Sequence, residues 1–403
     1  MSGRTVALMN ILVINCGSSS LKYQLIKSDS EEVVAKGICD RINIDGFISH
    51  QTIGSDKVKK DISLPDHTVA IKEVLKALME NGAISSLSDI DAVGHRIVHG
   101  GEYFSEAVLI TEEMLDIVKE CNDLAPLHNP ANITGIRACQ VAIPNVPMVA
   151  VFDTAFHQTL PEKAYFYGLP YRYYEDYKIR RYGFHGTSHD YVSKKAAQLA
   201  GVDIDNSKII VCHLGNGASI TAVKDGKSID TSMGLTPLEG VVMGTRSGDI
   251  DPAIVEFIMN KEGIGVEETI NILNKKSGML GLSNLSSDFR DLQDARNDGN
   301  EMAIRALEVY AYKIAKYIGS YVMAMGGVDI IAFTAGIGEN DEDVRRDICE
   351  YLVPFGAKIN YEYNKGRGQE GMLSLPDSSI KIMIVPTNEE LAIARETLRI
   401  IEK

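Results

Sequence analysis

The stretch that decides the fold is Ile11-Leu12-Val13-Ile14-Asn15-Cys16-Gly17-Ser18-Ser19-Ser20-Leu21-Lys22-Tyr23-Gln24-Leu25-Ile26. It contains an apolar strand, a tight turn of glycine and serine, and a second strand. Glycine lets the backbone approach an anion closely and serine adds hydrogen-bond donors, so such a turn suits phosphate. A Walker A loop would open a helix at this point. The pattern therefore predicts a phosphate loop of another class, in which Ser18, Ser20 and Lys22 alternate and face the anion.

The same design recurs in the middle of the chain, as Ile209-Ile210-Val211-Cys212-His213-Leu214-Gly215-Asn216-Gly217-Ala218-Ser219-Ile220-Thr221-Ala222-Val223. One hairpin of this kind is usually only a turn. Two copies predict a duplicated domain that closes on a polyphosphate from both sides.

The elements around the two hairpins repeat in the same order. The first half is predicted to contain strands at 11–16, 21–27, 33–38, 91–95 and 147–152 and helices at 68–80, 111–121 and 131–141. The second half is predicted to contain strands at 208–213, 219–224, 227–230, 329–334 and 381–385. Its helices are predicted at 188–200, 251–261, 266–274 and 301–325, after the glycine turn at 336–338, and from 388. Thr187 or Ser188 is expected to cap helix 188–200, and Gly201 to end it. Alternating strands and helices predict an α/β fold with helices on both faces of each sheet.

The order of the elements also predicts the domain boundaries. Residues 1–9 are expected to form an N-terminal extension. The N-terminal domain is predicted to comprise 10–155 together with 387–403, because the last helix follows a strand that completes the second domain. The C-terminal domain is predicted to comprise 156–386.

The composition limits the class of partner. The 403 residues carry a formal net charge of −14, which argues against nucleic acid or an anionic membrane as the partner. The N-terminus lacks a signal-peptide pattern, and no apolar run reaches the roughly 18 residues that would span a bilayer. The 6 cysteines are scattered without a C-x-x-C pair. They are predicted to be reduced core thiols of a cytoplasmic protein.

Two arginines in glycine-flanked loops are the candidate anion ligands. Arg96 lies in the stretch Gly-His-Arg-Ile-Val-His-Gly-Gly at 94–101, and Arg246 lies in Thr-Arg-Ser-Gly-Asp at 245–249. A planar guanidinium binds oxyanions bidentately, and a transferring phosphoryl group spreads charge over three oxygens. For either arginine alone, a surface ion pair is the default interpretation. His95 and His99 lie in a predicted strand and turn, where their spacing does not favour zinc.

His185 lies between two glycines at a predicted helix start, where the helix dipole favours an anion. A structural role and a catalytic role are equally compatible with that position. Gly186 is expected to precede the helix, so a metal pair of His185 and His189 is not expected.

Two carboxylates are candidates for the magnesium side of a site. Asp153 follows a predicted strand, and ligands of open α/β sheets bind at that edge. Glu389 stands at a predicted helix start, where an ordinary first-turn glutamate is the alternative. Mg²⁺ typically takes one or two carboxylates together with phosphates and waters. The glycine turn at 336–338 follows another strand and is a weak signal for a nucleoside and its α-phosphate.

Nine motifs together resemble the acetate kinase (acetokinase) family of the actin/sugar-kinase/chaperone ATPase superfamily. They are NCGSSSLK, GHRIVHGG, PLHNPAN, FDTAFHQTLP, RYGFHGTSH, HLGNGAS, MGLTPLEGVVMGTRSGD, FTAGIGEN and PTNEE. The resemblance runs from about Asn10 to the C-terminus. It implies two actin-like ATPase domains of the βββαβαβα type with a ligand cleft between them. It further implies a homodimer that interconverts acetate plus ATP with acetyl phosphate plus ADP, using Mg²⁺ or alternatively Mn²⁺.

The resemblance also implies a role for each matching residue. The implied catalytic residues are Arg96, Asp153, His185, Arg246 and His128. The implied nucleotide ligands are Ser18, Ser20, Lys22, His213, Asn216, Gly217, Asp288, Phe289, Arg290, Gly336, Ile337, Gly338 and Asn340. Asn15 and Glu389 match the metal-side residues. The implied acetate pocket consists of Arg96 and the apolar residues Val98, Leu127, Phe184 and Pro237.

Two alternatives to an acetate kinase remain open at this point. One is a kinase of the same group that prefers propionate or butyrate, against which Val98 argues because it favours a small pocket. The other is a non-catalytic actin-like protein, against which both arginines and His185 argue. The tyrosine-rich segment 161–177 is interpreted either as core or as part of a dimer contact, because aromatic residues concentrate at interfaces.

Overall fold

The protein is represented by a computed structural model that describes residues 9–126 and 128–403. The chain divides into two compact units. The first unit extends to Ala155 and resumes with Asn388–Lys403, and the second is Phe156–Thr387. The predicted extension, apart from Met9, lies outside the described residues. The second boundary falls one residue later than predicted, because Thr387 hydrogen-bonds to Ser188 and Glu339 of the second unit.

The first unit is built on an eight-stranded sheet. Its strands are β1 (Asn10–Cys16), β2 (Ser20–Lys27), β3 (Val33–Asp40), β4 (Phe47–Thr52), β5 (Val58–Asp61), β6 (Ala92–Ile97), β7 (Val108–Leu109) and β8 (Met148–Phe152). Its helices up to Ala155 are α1 (His67–Glu80), α2 (Glu112–Glu120) and α3 (Asn129–Ala142). The strand order is β5-β4-β3-β2-β1-β6-β8-β7, with β1, β6 and β8 parallel and the other neighbours antiparallel.

Both faces of this sheet are covered by apolar side chains, which explains the unbroken apolar run of β1. On one face, Leu12 and Ile14 of β1 share a buried cluster with Val74 and other residues of α1. On the same face, a second buried cluster joins Ile97 of β6 and Phe152 of β8 to residues of α2 and α3. The opposite face is covered by the C-terminal helix Glu389–Ile401, because a Cβ added to Gly94 of β6 would lie 2.7 Å from the Ile393 side chain.

The second unit contains a six-stranded sheet and most of the helices. Its helices are α4 (Glu162–Tyr165), α5 (Arg172–Tyr177), α6 (Gly186–Ala200), α7 (Ala253–Glu262), α8 (Val266–Lys275), α9 (Gly278–Ser283), α10 (Phe289–Asn297), α11 (Glu301–Met325), α12 (Ala335–Asn340), α13 (Glu342–Glu350) and α14 (Tyr361–Asn364). Its strands are β9 (Lys208–Leu214), β10 (Ala218–Lys224), β11 (Lys227–Thr231), β12 (Ile330–Thr334), β13 (Gly371–Met372) and β14 (Lys381–Ile384). The final helix, α15 (Glu389–Ile401), belongs to the first unit.

The strand orders confirm the duplicated α/β fold. The second sheet has the order β11-β10-β9-β12-β14-β13, and the first repeats it as β3-β2-β1-β6-β8-β7. In each sheet three antiparallel strands are followed by two parallel strands and one short antiparallel strand. Strands β4 and β5 extend only the first sheet.

The structure corrects the predicted start of helix α6. The helix begins at Gly186, and His185 occupies the preceding cap position with a φ of 57°. Thr187 and Ser188 therefore lie inside the helix, and the Ser188 hydroxyl instead lies 2.8 Å from Nδ1 of His213. Gly201 ends the helix in the left-handed conformation, as predicted.

The cysteines are confirmed as core thiols, because all six are buried and free. Burial raises the pKa of Cys16 to about 12, so this thiol next to the first turn stays protonated at neutral pH. Within the described ranges, no helix is both long enough and apolar enough to cross a membrane.

Candidate active site

The first hairpin turn presents its polar side chains to solvent. Gly17 closes the turn by donating its N–H to the Ser20 carbonyl at 2.8 Å. Lys22 is exposed, between the buried Leu21 and Tyr23. Ser18 lies in the turn, before β2 begins, so only Ser20 and Lys22 follow the predicted alternation along the strand. Asn15 is half-buried and pairs with Lys22 across the hairpin.

Arg96 and Asp153 meet at the carboxyl ends of two parallel strands. Arg96 lies near the end of β6, and Asp153 directly follows β8, where its N–H donates to the Ile97 carbonyl at 2.9 Å. Arg96 donates from Nε to Oδ1 at 2.8 Å and from Nη2 to Oδ2 at 2.6 Å. Asp153 is only 2% exposed. The pair is therefore bidentate and largely desolvated, rather than a surface ion pair.

Glu389 is the second carboxylate near Arg96. One of its oxygens lies 3.9 Å from Arg96 Nε, and its side chain is 22% exposed. Burial, together with the nearby Asp153 and Glu390, raises the pKa of Glu389, although Arg96 opposes this. The same burial would lower the pKa of Arg96, but Asp153 and Glu389 outweigh it and raise that pKa above its ordinary value. Arg96 is thus a permanent cation shared by two carboxylates.

Two asparagines hold the Arg96 loop in place, and sequence reasoning missed their role. Asn132 accepts the Val98 N–H at 3.1 Å and donates to the Cys16 carbonyl at 2.7 Å. It therefore joins the Arg96 loop to the first phosphate turn. Asn129 makes the same kind of paired contact, with the N–H and the carbonyl of His99. Both asparagines lie in the motif PLHNPAN, where two amides in the first turn of a helix were the only signal.

The remaining predicted residues of the first unit lie near these contacts in the sequence. His128 is half-buried and occupies the position before α3. Val98 is half-buried, and its backbone N–H is the one that Asn132 accepts. Leu127 lies outside the described residues.

The donor set of the first unit fits a magnesium ion. Glu389 makes no hydrogen bond of its own in the described part of the chain and has a carboxylate oxygen available beside Asp153. No cluster of three or more His, Cys, Asp or Glu ligands occurs among residues 9–126 and 128–403. A hard cation bound by one or two carboxylates, with the remaining ligands from phosphate and water, suits this arrangement.

His185 is held on two sides by strands β9 and β10 of the second unit. Its ring stacks on that of His213, with centroids 4.1 Å apart and an interplanar angle of 18°. Its Nδ1 lies 2.9 Å from Oγ of Ser219. The backbone of His185 is left-handed, a conformation that is uncommon for residues other than glycine.

Arg246 lies beside His185 and the second phosphate loop. A Cβ added to Gly217 would lie 3.5 Å from Arg246 Nη1 and 3.6 Å from Cε1 and Nε2 of His185. The glycine therefore leaves an open position that the arginine and the histidine both face. The neighbouring Asn216 packs so closely on Gly244 that a Cβ there would lie 2.0 Å from Asn216 Oδ1.

Arg246 differs from Arg96 in its charge balance. Its Nη1 donates to the Pro237 carbonyl at 3.0 Å and contacts the Met243 sulfur at 3.7 Å. No carboxylate lies within ion-pair distance of Arg246 in the described ranges. Burial lowers the pKa of Arg246, although an arginine stays charged at neutral pH. A largely buried guanidinium without a carboxylate indicates a site for an anionic ligand.

The predicted apolar residues of the second unit differ in their exposure. Phe184 is buried, and its carbonyl lies 3.0 Å from Nε2 of His157. Pro237 is half-buried and is attached to Arg246 through its carbonyl.

A cavity of about 730 Å³ in the second unit brings together most of the predicted nucleoside residues. The predicted residues that line it are Asn216, Asp288, Phe289, Arg290, Gly336, Ile337 and Asn340. Its volume lies within the range of typical small-molecule sites. Arg290 forms a bidentate pair with Asp288, and this hydrogen bonding lowers the pKa of Asp288 to about 2.

Three residues of the second unit that are predicted to bind the nucleotide are not among those lining this cavity. Gly338 is buried beneath the turn, where a Cβ would lie 3.4 Å from the Phe333 carbonyl carbon. His213 is buried against His185. Gly217 lies at the Arg246 position instead. In the described residues, the open position at Gly217 is therefore separate from the cavity, and Asn216 is next to the first and lines the second.

Sequence reasoning missed two charged residues that support the glycine turn at 336–338. Glu339 accepts the N–H of Ala335, whose φ is 63°, at 2.8 Å, and also the N–H of Thr387 at 3.1 Å. Arg345 is fully buried and donates to the Gly338 carbonyl at 2.9 Å and to Asn364 Oδ1 at 2.8 Å. In the sequence, both residues look like ordinary charged residues on the surface of a helix.

The chain is similar over nearly its whole length to proteins of one known family. The model of the Acetokinase family matches residues 10–395. The chain belongs to the acetokinase family. It is 65% identical to the acetate kinase of Agathobacter rectalis, over 98% of this chain and 100% of that protein. It is 58% identical to the acetate kinase of Thermotoga maritima, over 98% and 99%.

Solved structures of the acetokinase family share the fold over nearly the whole chain. The crystal structure of Porphyromonas gingivalis acetate kinase superposes with a TM-score of 0.94 at 46% identity, covering 98% of this chain and 100% of that one. A propionate kinase from Francisella tularensis gives 0.92 at 44% identity, covering 97% and 100%. The fold is therefore shared by relatives named for acetate and for propionate, so it does not distinguish between these acyl substrates.

Proposed function

We propose that this chain catalyses reversible transfer of a phosphoryl group between ATP and acetate, giving ADP and acetyl phosphate. The observation that carries the proposal is Arg246, a half-buried cation without a carboxylate partner in the described ranges, which shares an open position with His185 and Gly217. Membership of the acetokinase family supplies the reaction class. The 730 Å³ cavity beside Asn216 supports a nucleotide as the phosphoryl donor.

The chemistry requires cations rather than a base. A carboxylate of ordinary pKa is already ionised at neutral pH, so no group needs to remove a proton from acetate. The barrier arises because an anionic nucleophile approaches an anionic donor. Positively charged and N–H groups that hold both anions in line would lower that barrier.

We assign the acyl side to the first unit. Arg96 binds the carboxylate and the transferring phosphoryl group, through the edge of the guanidinium that Asp153 leaves uncovered. Asp153 holds Arg96 in this orientation and remains ionised. Val98, Leu127, Phe184 and Pro237 remain the proposed apolar contacts of the methyl group. His128 is proposed to be a further active-site residue.

We assign the phosphate chain of the nucleotide to the two glycine-containing loops, and its nucleoside to the cavity. Ser18, Ser20 and Lys22 of the first loop, and Asn216 with Gly217 of the second, bind phosphate oxygens. Arg246 and His185 contact the oxygens of the transferring phosphoryl group. The nucleoside occupies the cavity lined by Phe289, Arg290 and Ile337. His213 and Gly338 then act indirectly, as supports for His185 and for the glycine turn.

Asn15, Glu389 and Asp153 are the proposed magnesium-side residues, and Mn²⁺ is the alternative ion. When bound, the divalent cation neutralises charge on the donor phosphates. Glu389 would supply a carboxylate oxygen to the cation, and Asp153 would order Arg96 and the water molecules around the cation.

We further propose a cytoplasmic homodimer. Six buried free thiols are typical of a reducing compartment. Helix α7 has no buried residue, although it is largely apolar, and Phe257 on it is 62% exposed. This surface supports self-association through the second unit, where the tyrosine-rich segment also lies. Sedimentation of Phe257→Glu as a monomer would support the assignment, and an unchanged dimer would refute it.

The experiment that tests the reaction is a hydroxamate assay for acyl phosphate with acetate, propionate and butyrate. We expect the largest kcat/KM with acetate. We expect slower reaction with propionate, because one methylene changes discrimination by about 1–3 kcal/mol in an apolar pocket. A higher kcat/KM for propionate would overturn the acetate assignment. Absence of any acyl phosphate would overturn the proposed function itself.

A further inference from the structure

One buried hydroxyl in the second unit serves two histidines. Ser219 is fully buried on β10, directly opposite His213 of β9. Its Oγ lies 2.9 Å from Nδ1 of His185 and 2.7 Å from Nε2 of His189. Residues opposite each other on antiparallel strands present their side chains on one face. The strand pair therefore fixes His185 at one edge through Ser219 and at its ring face through His213.

The hydroxyl has one proton and two lone pairs, so the two imidazoles cannot use it in the same way. If Ser219 donated to His189, that ring would carry its proton on Nδ1. His189 Nδ1 is buried and has no hydrogen-bond partner in the described part of the chain. A buried N–H without an acceptor is rare, because its lost hydration is not replaced.

The second arrangement, in which both rings donate to Ser219, fails for a similar reason. The hydroxyl proton would then have no acceptor among the described residues, since the two histidines are the contacts that its oxygen makes there. The remaining arrangement leaves no buried proton unpaired. His189 donates from Nε2 to Ser219, and Ser219 donates to Nδ1 of His185. Burial, with the neighbouring His157 and His213, lowers the pKa of His189 well below its ordinary value, which agrees with a neutral ring.

We propose that Ser219 and His189 are positioning residues that hold neutral His185 with its proton on Nε2. That nitrogen is the one that faces the open position beside Gly217 and Arg246. His185 is thereby kept as a hydrogen-bond donor at this position, and the other tautomer, which would present a lone pair, is excluded. The link from this donor to a phosphoryl oxygen rests on the proposed function, whereas the tautomer itself does not.

The tautomer can be measured directly on the full chain. Long-range ¹H–¹⁵N correlation spectra of the labelled protein, at a pH where the imidazoles are neutral, distinguish protonation at Nδ1 from protonation at Nε2. His185→Gln and His189→Gln variants assign the two rings. We expect Nε2–H on both rings. Protonation of either ring at Nδ1 would overturn the proposal, whether or not the chain phosphorylates acetate.

Kinetics test the consequence for turnover. In Ser219→Ala, we expect kcat to fall at least ten-fold while KM for ATP and for acetate stays within two-fold. In a His185→Gln background the same substitution should have less than a two-fold further effect, because there is no longer a ring to position. The matched control is Thr221→Val, which removes another buried hydroxyl of β10, one that lies 2.8 Å from the Thr231 hydroxyl. The kcat of this variant should stay within two-fold of the wild type.

A kcat for Ser219→Ala within two-fold of the wild type would contradict the positioning role. An equal loss in both backgrounds would do the same, because it would indicate general damage to the fold. Ser219→Cys keeps the shape of the side chain with a weaker donor, and we expect its kcat to lie between those of the wild type and Ser219→Ala.

Discussion

Replacement of Asp153 by asparagine probes the pair on which the acyl side of the site depends. The substitution keeps the size of the side chain and removes its charge. Asp153 accepts two hydrogen bonds from Arg96, at 2.8 and 2.6 Å, in a position that is 2% exposed. In the variant one amide oxygen can still accept, but the amide NH₂ then faces a guanidinium N–H. Arg96 therefore loses one hydrogen bond and its nearest counter-charge.

The expected loss of stability follows from these contacts. Removing one partner of a buried pair costs about 3–5 kcal/mol, and retention of one neutral hydrogen bond offsets about 1 kcal/mol of that. We therefore expect the free energy of unfolding of the first unit to fall by about 2–4 kcal/mol. For a domain of roughly 150–250 residues, each 1 kcal/mol lowers Tm by about 2–4 °C. A decrease of Tm by about 5–15 °C follows.

Activity should fall further than stability alone would require. Arg96 would no longer be held in one orientation, and misplacement of a catalytic group by about 1 Å can cost about 100-fold in rate. We expect kcat/KM for acetate to fall at least 100-fold in the hydroxamate assay, at a temperature where calorimetry shows the variant to be folded.

The matched control is Glu31→Gln. Glu31 accepts two hydrogen bonds from Arg395 at 2.6 and 2.7 Å, but both side chains are substantially exposed. Exposed pairs contribute about 0–1 kcal/mol, so we expect Tm to change by less than about 3 °C and activity to be unaffected. If Asp153→Asn behaved like this control in both assays, the assignment of a buried, functional Arg96–Asp153 pair would be refuted.

Three further substitutions test other parts of the site. Glu389→Gln should raise Tm of the metal-free protein at neutral pH and abolish the Mg²⁺-dependent rise in Tm. Because burial raises the pKa of Glu389, the ionised carboxylate destabilises the folded state above that pKa, and the higher Tm of the variant should disappear at acid pH. A Mg²⁺-dependent rise in Tm equal to that of the wild type would contradict the metal role. Arg246→Ala should lower kcat at least 100-fold with acetate, because it removes the guanidinium that faces the open position at Gly217 together with His185; near-normal turnover would show that the arginine is not catalytic. Ile337→Glu places a carboxylate in the nucleoside cavity and should raise KM for ATP at least ten-fold with KM for acetate within two-fold; a change confined to acetate would place the nucleoside elsewhere.

The sequence predicted those parts of the fold that depend on local pattern. The apolar runs of β1 and β9, the helical periodicity of α11 and the glycine that ends α6 are all readable within a few residues. Strand β5 was missed because its four side chains are all exposed and three are charged, so no alternation marks it. Strands β7 and β13 contain two residues each and are formed by pairing with β8 and β14 instead of by their own sequence.

The candidate site likewise contains residues that a local motif marks and residues that it does not. Arg96, Asp153, His185 and Arg246 stand in short motifs with glycine or at strand ends, so their residue types and positions pointed to them. Their partners lie far away in the chain. Asn132 reaches Cys16 across 116 positions, and Glu339 reaches Thr387 across 48. Such contacts depend on tertiary packing, which a local pattern does not contain.

The cap of helix α6 shows how function can override a local rule. Thr187 and Ser188 are good cap residues, and a capped start there would be the ordinary choice. The helix instead begins at Gly186, His185 takes a left-handed conformation, and Ser188 turns to His213. The local rule fails at the residue that the proposed reaction requires.

The proposed reaction is a single, direct transfer of the phosphoryl group from ATP to acetate, with Arg96 on the carboxylate. The measurement that tests it most directly uses ATP made chiral at its γ-phosphorus with oxygen isotopes, together with acetate and Mg²⁺. We expect acetyl phosphate of inverted configuration at phosphorus, because one in-line displacement inverts the centre. Retention of configuration would show two successive transfers through the protein, and release of phosphate without acetyl phosphate would show that the acceptor is not acetate; either result would contradict the account.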